Sequence, residues 1–287
     1  MKKIIKTIDD LRNFKIDNSY NIIIDVGSNK GDLSLNLLKN KANFLIAIEP
    51  IAELCNLLLK KATKLRFNQR LLILNFGIDI FNETKNLHIS DLNNSGVSSF
   101  LKLNGKNLRN NNYWESRNDL KFDRTVKIQT YRLDLILKKI NCKHINFIKI
   151  DCQGLDLNVL SSLGNYCKTT SMGMIECTAS NDDLLYNETS SLITNTLIFL
   201  KSKKYEIFKI KPNDPACCEY NIFFKLKTVD HKNIEDKLSL RSSPIYSGKD
   251  YWYLSMPDYS DSFNKIISIF KKIINLYLKF TKHRYKQ

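Results

Sequence analysis

Glycine and proline are scarce, with 9 and 5 among 287 residues. That excludes collagen-like and proline-rich chains and makes each glycine informative. No apolar run reaches the roughly 18 residues that a membrane-spanning helix needs. The N-terminus, Met1-Lys2-Lys3, leads into a mixed polar stretch rather than the apolar core of a signal peptide. A cytoplasmic location is therefore expected. The seven cysteines are odd in number and scattered, and none form a CxxC pair. Their pattern speaks for reduced thiols and against a disulfide framework or a zinc site. No metal site is expected.

Hydrophobic residues make up 43% of the chain, enough for the core of one large α/β domain plus an appendage. The formal charge of +16 favours anionic partners. It is uneven: residues 262–287 hold seven Lys or Arg and no Asp or Glu. Ile266, Phe270, Ile273, Ile274 and Tyr277 recur there at helical spacing, so this tail predicts a basic amphipathic helix. Three roles stay open for it: packing on the domain, peripheral contact with an anionic membrane, or contact with a protein or nucleic acid.

Apolar β-branched runs and helical patterns alternate from residue 21 onward. Strands are expected at 21–26, 44–49, 70–76, 145–150 and 171–176. Helices are expected after Gly31 (with Leu33, Leu37 and Leu38 on one side), at 51–63, 133–140, 155–163 and 190–202. Alternation of this kind predicts a mostly parallel sheet with helices on both faces. Residues 205–210 and 221–226 read as an antiparallel hairpin at its edge, making seven strands in all. Residues 82–127 read as an insertion of loops with a strand near 86–90, and 127–131 as an edge strand. The expected units are a lead-in at 1–20, one domain at 21–228, an irregular segment at 229–261 and the basic tail at 262–287.

The strongest local signal is Asp25-Val-Gly-Ser-Asn-Lys-Gly31, between a strand and a helix. Ligands of such sheets bind at the carboxyl ends of the strands. Gly27 and Gly31 remove side chains where a cofactor would approach the backbone. Asp25 can accept hydrogen bonds from an ammonium. Glu49 ends the next strand, where a carboxylate can take both ribose hydroxyls. A dinucleotide calls for GxGxxG to meet its pyrophosphate. Here the spacing is GxxxG, with Asn29 in place of the middle glycine, which favours the phosphate-free S-adenosylmethionine. Asp151 and Glu176 end two further strands and should face the same crevice. With Lys149 nearby they could deprotonate a hydroxyl or hold a metal, the first being the role expected here. His88, in the insertion, is another candidate base.

Together, IDVGSNKGDLS, AIEP and KIDCQGLDLNVLSSLG resemble the FkbM-type methyltransferases. GVSSF, TYRLDLIL, MIECTAS and EYNIFFK are weaker echoes, and the resemblance spans about residues 21–226. It implies a Rossmann-like class I methyltransferase fold that uses S-adenosylmethionine to methylate hydroxyls on sugars or related small molecules. It would place Asp25, Gly27 and Gly31 at the cofactor's methionine end, Glu49 at the ribose and Asp151 beside the acceptor. The family often has Glu before the glycine that follows Asp151. Gln153 stands there, and a neutral amide is no base. The rival readings are a ribose 2′-O-methyltransferase acting on RNA and a non-catalytic S-adenosylmethionine-binding module in an assembly. A nicotinamide oxidoreductase is disfavoured by the missing glycine.

Overall fold

Six consecutive buried residues, NIIIDV, form strand β2 (Asn21–Val26), and a strand buried on both faces belongs inside a parallel sheet. The computed structural model describes residues 4–91, 96–214 and 216–243. Around β2 lie β1 (Ile4–Ile5), β3 (Asn43–Ile48), β4 (Leu71–Leu74), β8 (Ile145–Ile150), β9 (Thr170–Thr178), β10 (Tyr205–Pro212) and β11 (Glu219–Leu226). They make one eight-stranded sheet in the order β1-β4-β3-β2-β8-β9-β11-β10. All neighbours are parallel up to β9, and β11 then pairs antiparallel with both β9 and β10. The edge hairpin is therefore present. The expected count of seven strands rises to eight, because the two residues of β1 are too few to show a period.

One apolar layer packs Ile22, Ile24 and Val26 under α4 (Leu133–Lys139), α5 (Asp156–Ser161) and α6 (Ile193–Ser202). The other packs Ile23, Leu45 and Phe147 under α1 (Ala52–Lys64) and the end of α7 (His231–Leu238). The helix α7 corrects the reading of residues 229–261 as irregular. Its signal is the Asp230 side chain, which caps the Lys232 N–H.

The helix expected after Gly31 shrinks to a 3₁₀ turn, Leu35–Lys39, and Leu33 is exposed. Side chains take the carbonyls that an α-helix would use. Asn43 donates to the Leu37 carbonyl, and Arg70 donates to those of Leu38 and Asn40.

The insertion carries its own sheet, in the order β5-β7-β6, from β5 (Gly77–Ile78), β6 (Thr84–Ile89) and β7 (Arg124–Tyr131). Residues 127–131 thus lie in the central strand of a small sheet, not at an edge. Two short helices follow β6: α2 (Gly105–Asn110) and α3 (Asn112–Glu115). The basic tail at 262–287 lies outside the described residues. Among the described residues no helix is long and apolar enough to cross a membrane.

Candidate active site

The carboxyl ends of β3, β2, β8 and β9 open side by side onto a cavity of about 450 Å³. That volume falls within the roughly 300–1,000 Å³ of small-molecule sites. Asp25, Gly27, Asn29, Glu49, Asp151 and Glu176 all line it. Gly31 does not.

Gly27 has φ +76°, and a Cβ there would overlap the carbonyl oxygen of Asp151. The first turn and the end of β8 touch at that point. A Cβ on Gly31 would crowd the side chains of Leu58 and Leu35 at 3.0 and 3.1 Å. Both glycines therefore serve close contacts within the protein, and Gly27 also lines the cavity. Asn29 adopts φ 49°, and its N–H donates to Glu49 Oε2 at 2.8 Å. Ile51 N–H donates to Glu49 Oε1 at 2.9 Å. Burial raises the Glu49 carboxyl to about 7 against these two donors, and the Asp25 charge adds to the rise.

The centre of the site is Lys149, paired in register with Asp25 across β2 and β8. Its ammonium is 2% exposed and lies 3.2 Å from both Asp25 Oδ1 and Asp151 Oδ2. Burial opposes its charge, but the Asp151 and Asp25 carboxylates outweigh that and hold the ammonium well above the usual lysine range. The Asp25 contact is an ion pair by distance only. Asp25 Oδ1 makes no hydrogen bond among the described residues, nor does the buried Ser28 Oγ. Both residues line the cavity, and buried polar atoms without a hydrogen bond call for an explanation such as a ligand.

Asp151 and Glu176 differ. Asp151 has 27% of its side chain exposed, whereas Glu176 is buried. Burial disfavours charge on Asp151, yet Lys149 and a hydrogen bond from Gln153 pull its carboxyl below the usual range. Burial, with the charge of Asp151 behind it, pushes Glu176 well above the usual range. The surroundings therefore favour charge on Asp151 over charge on Glu176. Gln153 Nε2 donates to Asp151 Oδ1 and to Glu176 Oε2, each at 3.0 Å. Asn213 donates to the other oxygen of Glu176. Asp156 fastens the turn from below, accepting from Cys152 N–H at 2.8 Å and Gly154 N–H at 2.9 Å.

The sequence reading missed Asp156, Asn213 and Tyr186, and it set Gln153 aside. Asp156 had a local signal, an acid five residues after Asp151 at the start of a helix. Asn213 and Tyr186 had none. His88 lies away from the cavity, stacked on Phe122 at 5.1 Å and bonded to Thr125 Oγ1 at 2.9 Å, so it is not placed to act as the base.

The insertion roofs the cavity. Ser98, Ser99 and Phe100 line it, and Ser99 Oγ donates to the Gln153 carbonyl at 2.6 Å. Phe76, Ile78, Leu87 and Phe100 give its lining an apolar part.

A methyltransferase FkbM domain model matches residues 25–207. A comparison with curated proteins finds no match. Among solved structures, TrmK of M. capricolum, bound to S-adenosylhomocysteine, is 14% identical over 79% of this chain and 73% of that one, with a TM-score of 0.37. An O-methyltransferase family 2 protein from Planctomyces limnophilus, bound to apigenin, is 10% identical over 74% and 52%, with a TM-score of 0.40. An rRNA methylase from Streptococcus thermophilus is 9% identical over 77% and 94%, with a TM-score of 0.37. Likenesses this low carry nothing about the substrate. The domain match covers well over half of the chain, so the protein belongs to the FkbM methyltransferase family and its cofactor is S-adenosylmethionine.

Proposed function

We propose that this protein methylates a hydroxyl of a sugar, glycan or related small molecule. The observation that carries the reading is Asp151: of the Asp151–Glu176 pair, it is the member exposed to the cavity, and the Lys149 ammonium 3.2 Å away favours its charge.

The chain's residues fit the cofactor. Asp25 and Ser28, which line the cavity and carry buried oxygens without a hydrogen bond, suit an amino-acid end bearing an ammonium and a carboxylate. Glu49 suits the ribose hydroxyls, since each oxygen spends one lone pair on a backbone donor and keeps another. The apolar part of the lining suits the purine. When bound, S-adenosylmethionine supplies a sulfonium methyl that needs no further activation. Asp151 accepts the acceptor's proton. An oxygen gaining a methyl becomes oxonium-like and strongly acidic, so a carboxylate of low basicity is base enough. Positioning by the cavity walls supplies much of the remaining rate.

A lysine base, as the RNA ribose reading would use, requires a neutral amine. Lys149 is held as ammonium between two carboxylates. The deciding experiment offers S-adenosylmethionine with a ¹³C methyl group together with free sugars, nucleotide sugars, glycan lipids or RNA. The carbon shift of the product separates O-methyl from N-methyl. An O-methyl signal on a sugar hydroxyl is expected. Label on RNA alone, or on nitrogen, would overturn the reading, and no transfer to any of them would favour a binding module.

Cofactor binding should depend on pH through Glu49. Its carboxyl titrates at about 7 in the free protein. Ribose hydroxyls donate best to the ionised form, so binding should strengthen as pH rises through 7 and level off above. Below 7 the limiting slope is about tenfold in Kd per pH unit. Calorimetric titration with S-adenosylhomocysteine between pH 5.5 and 8.5 reads this directly. Glu49→Gln should bind more weakly and flatten the profile.

A further inference from the structure

Gln153 sits where a glutamine is costly. Its φ is +59°, in the left-handed region, which residues with an ordinary side chain seldom adopt. Gly or Asn would occupy that backbone with less strain. The site holds the residue there from three directions. Ser99 Oγ, from the insertion, donates to its carbonyl at 2.6 Å. Its amide nitrogen reaches both carboxyls of the Asp151–Glu176 pair at 3.0 Å. Its amide oxygen accepts from the hydroxyl of Tyr186 at 2.8 Å. Tyr186 is itself 3% exposed, and its hydroxyl also lies 2.9 Å from the Val97 carbonyl. An amide has one donor end and one acceptor end. The single Tyr186 proton is within reach of this oxygen and of the Val97 carbonyl, and with the amide nitrogen at 3.0 Å from both acids the two NH₂ hydrogens match the two carboxyls.

We propose that Gln153 is a positioning residue of the methyl transfer: buttressed by Tyr186, its amide ties Asp151 to Glu176 and holds the Asp151 carboxyl facing the acceptor. The inference rests on the hydroxyl-methylation reading for its purpose, but its geometry and its test do not need an acceptor. The charged neighbours of the pair bear on where its charge lies. Lys149 on β8 favours charge on Asp151. Asp156 on α5 and Glu219 on β11 disfavour charge on Glu176. Arg117, in the insertion, eases the charge on Glu219. Asn213 and Gln153 are the neutral donors at Glu176. The position that often carries Glu in the resembling family would, with Glu here, add a third carboxyl to this group. A glutamine supplies donors in its place, and so its value lies in being no base at all.

The test is infrared titration of the full-length protein with ¹³C-labelled Asp and Glu carboxyls, without cofactor or acceptor. Glu176→Gln should lose a protonated carboxyl band at pH 7 that Asp151→Asn keeps, read as a difference against the wild type so that Glu49 and Glu219 cancel. In Glu176→Gln the Asp151 step is read as the difference from the same protein carrying Asp151→Asn as well. Adding Gln153→Leu should move that step up by about one to two pH units, because a donor to the ionised form is lost. Adding Tyr186→Phe, which keeps the ring's packing, should move it the same way by less than a unit. If Gln153→Leu does not fold, the Tyr186→Phe shift decides alone. No band lost in Glu176→Gln, or an Asp151 step moved by neither change, would overturn the proposal. Should the steps move as expected while no hydroxyl is ever methylated, the acceptor assignment fails and the positioning of Asp151 by Gln153 stands.

Discussion

Asp151→Asn is expected to slow methyl transfer to the acceptor by about 10²–10⁴-fold, the usual contribution of a general base. Asparagine keeps the shape of the side chain and an oxygen for the Gln153 donor, and loses proton acceptance. The contrast with Glu176→Gln makes the result specific. Burial and the charge of Asp151 disfavour charge on Glu176. An amide in place of a carboxyl that resists ionisation changes little electrically, so Glu176→Gln should cost less than about tenfold. Single-turnover rates on the acceptor found by ¹³C labelling check this. S-adenosylhomocysteine affinity and thermal stability, measured alongside, separate a chemical loss from a folding one. Equal losses in the two variants, with cofactor binding intact, would show that the pair acts through both members and that Asp151 is not the sole base.

The four strand-end acids were legible because adjacent parallel strands end on one side, and each acid closes an apolar run. Asp25, Glu49, Asp151 and Glu176 line one cavity for that reason. Lys149 was visible as a neighbour but not as the hub. Within INFIKI it is one polar residue in a strand, and only the register with Asp25 shows that both lie on one face. Gln153 was read from the atoms it lacks. Its partners, Glu176 and Tyr186, lie 23 and 33 residues further along the chain. The insertion was misread through its asparagines. Asn104 and Asn111 look like loop composition, yet each caps a short helix by accepting from two backbone N–H groups. In a chain so rich in asparagine, capping positions cannot be told from loop positions by residue type. The shortfall after Gly31 has the same root: Asn43, a strand residue, takes the carbonyl that would have continued the helix.

Lys149→Met is expected to destabilise the fold by about 3–5 kcal/mol at pH 7, the cost of breaking a buried ion pair from one side. Methionine matches the length of the lysine stem and fills its space, so the loss is electrostatic rather than a cavity. Two carboxylates remain, Asp25 nearly fully buried and Asp151 partly so, with their shared cation gone. The pH dependence gives the cause away. Asp151 lies below its usual 3.8 in the fold, so its share of stability is present above about 4 and fades as pH falls through its folded value. Lys149 lies above its usual 10.5, so its share is present below about 10.5 and fades as pH rises further. Between those limits the wild type has the full benefit. In the variant the buried acids prefer to be protonated, and its stability should rise as pH falls from 7 toward 4. The gap to wild type should narrow over the same interval. Urea unfolding at pH 7 and pH 4.5 measures both. Asp25→Asn combined with Lys149→Met should recover part of the loss at pH 7, since it removes one of the stranded charges. A deficit that is the same at both pH values, with no recovery in the double variant, would mean that Lys149 stabilises the sheet by packing and that the two carboxylates are balanced by other groups.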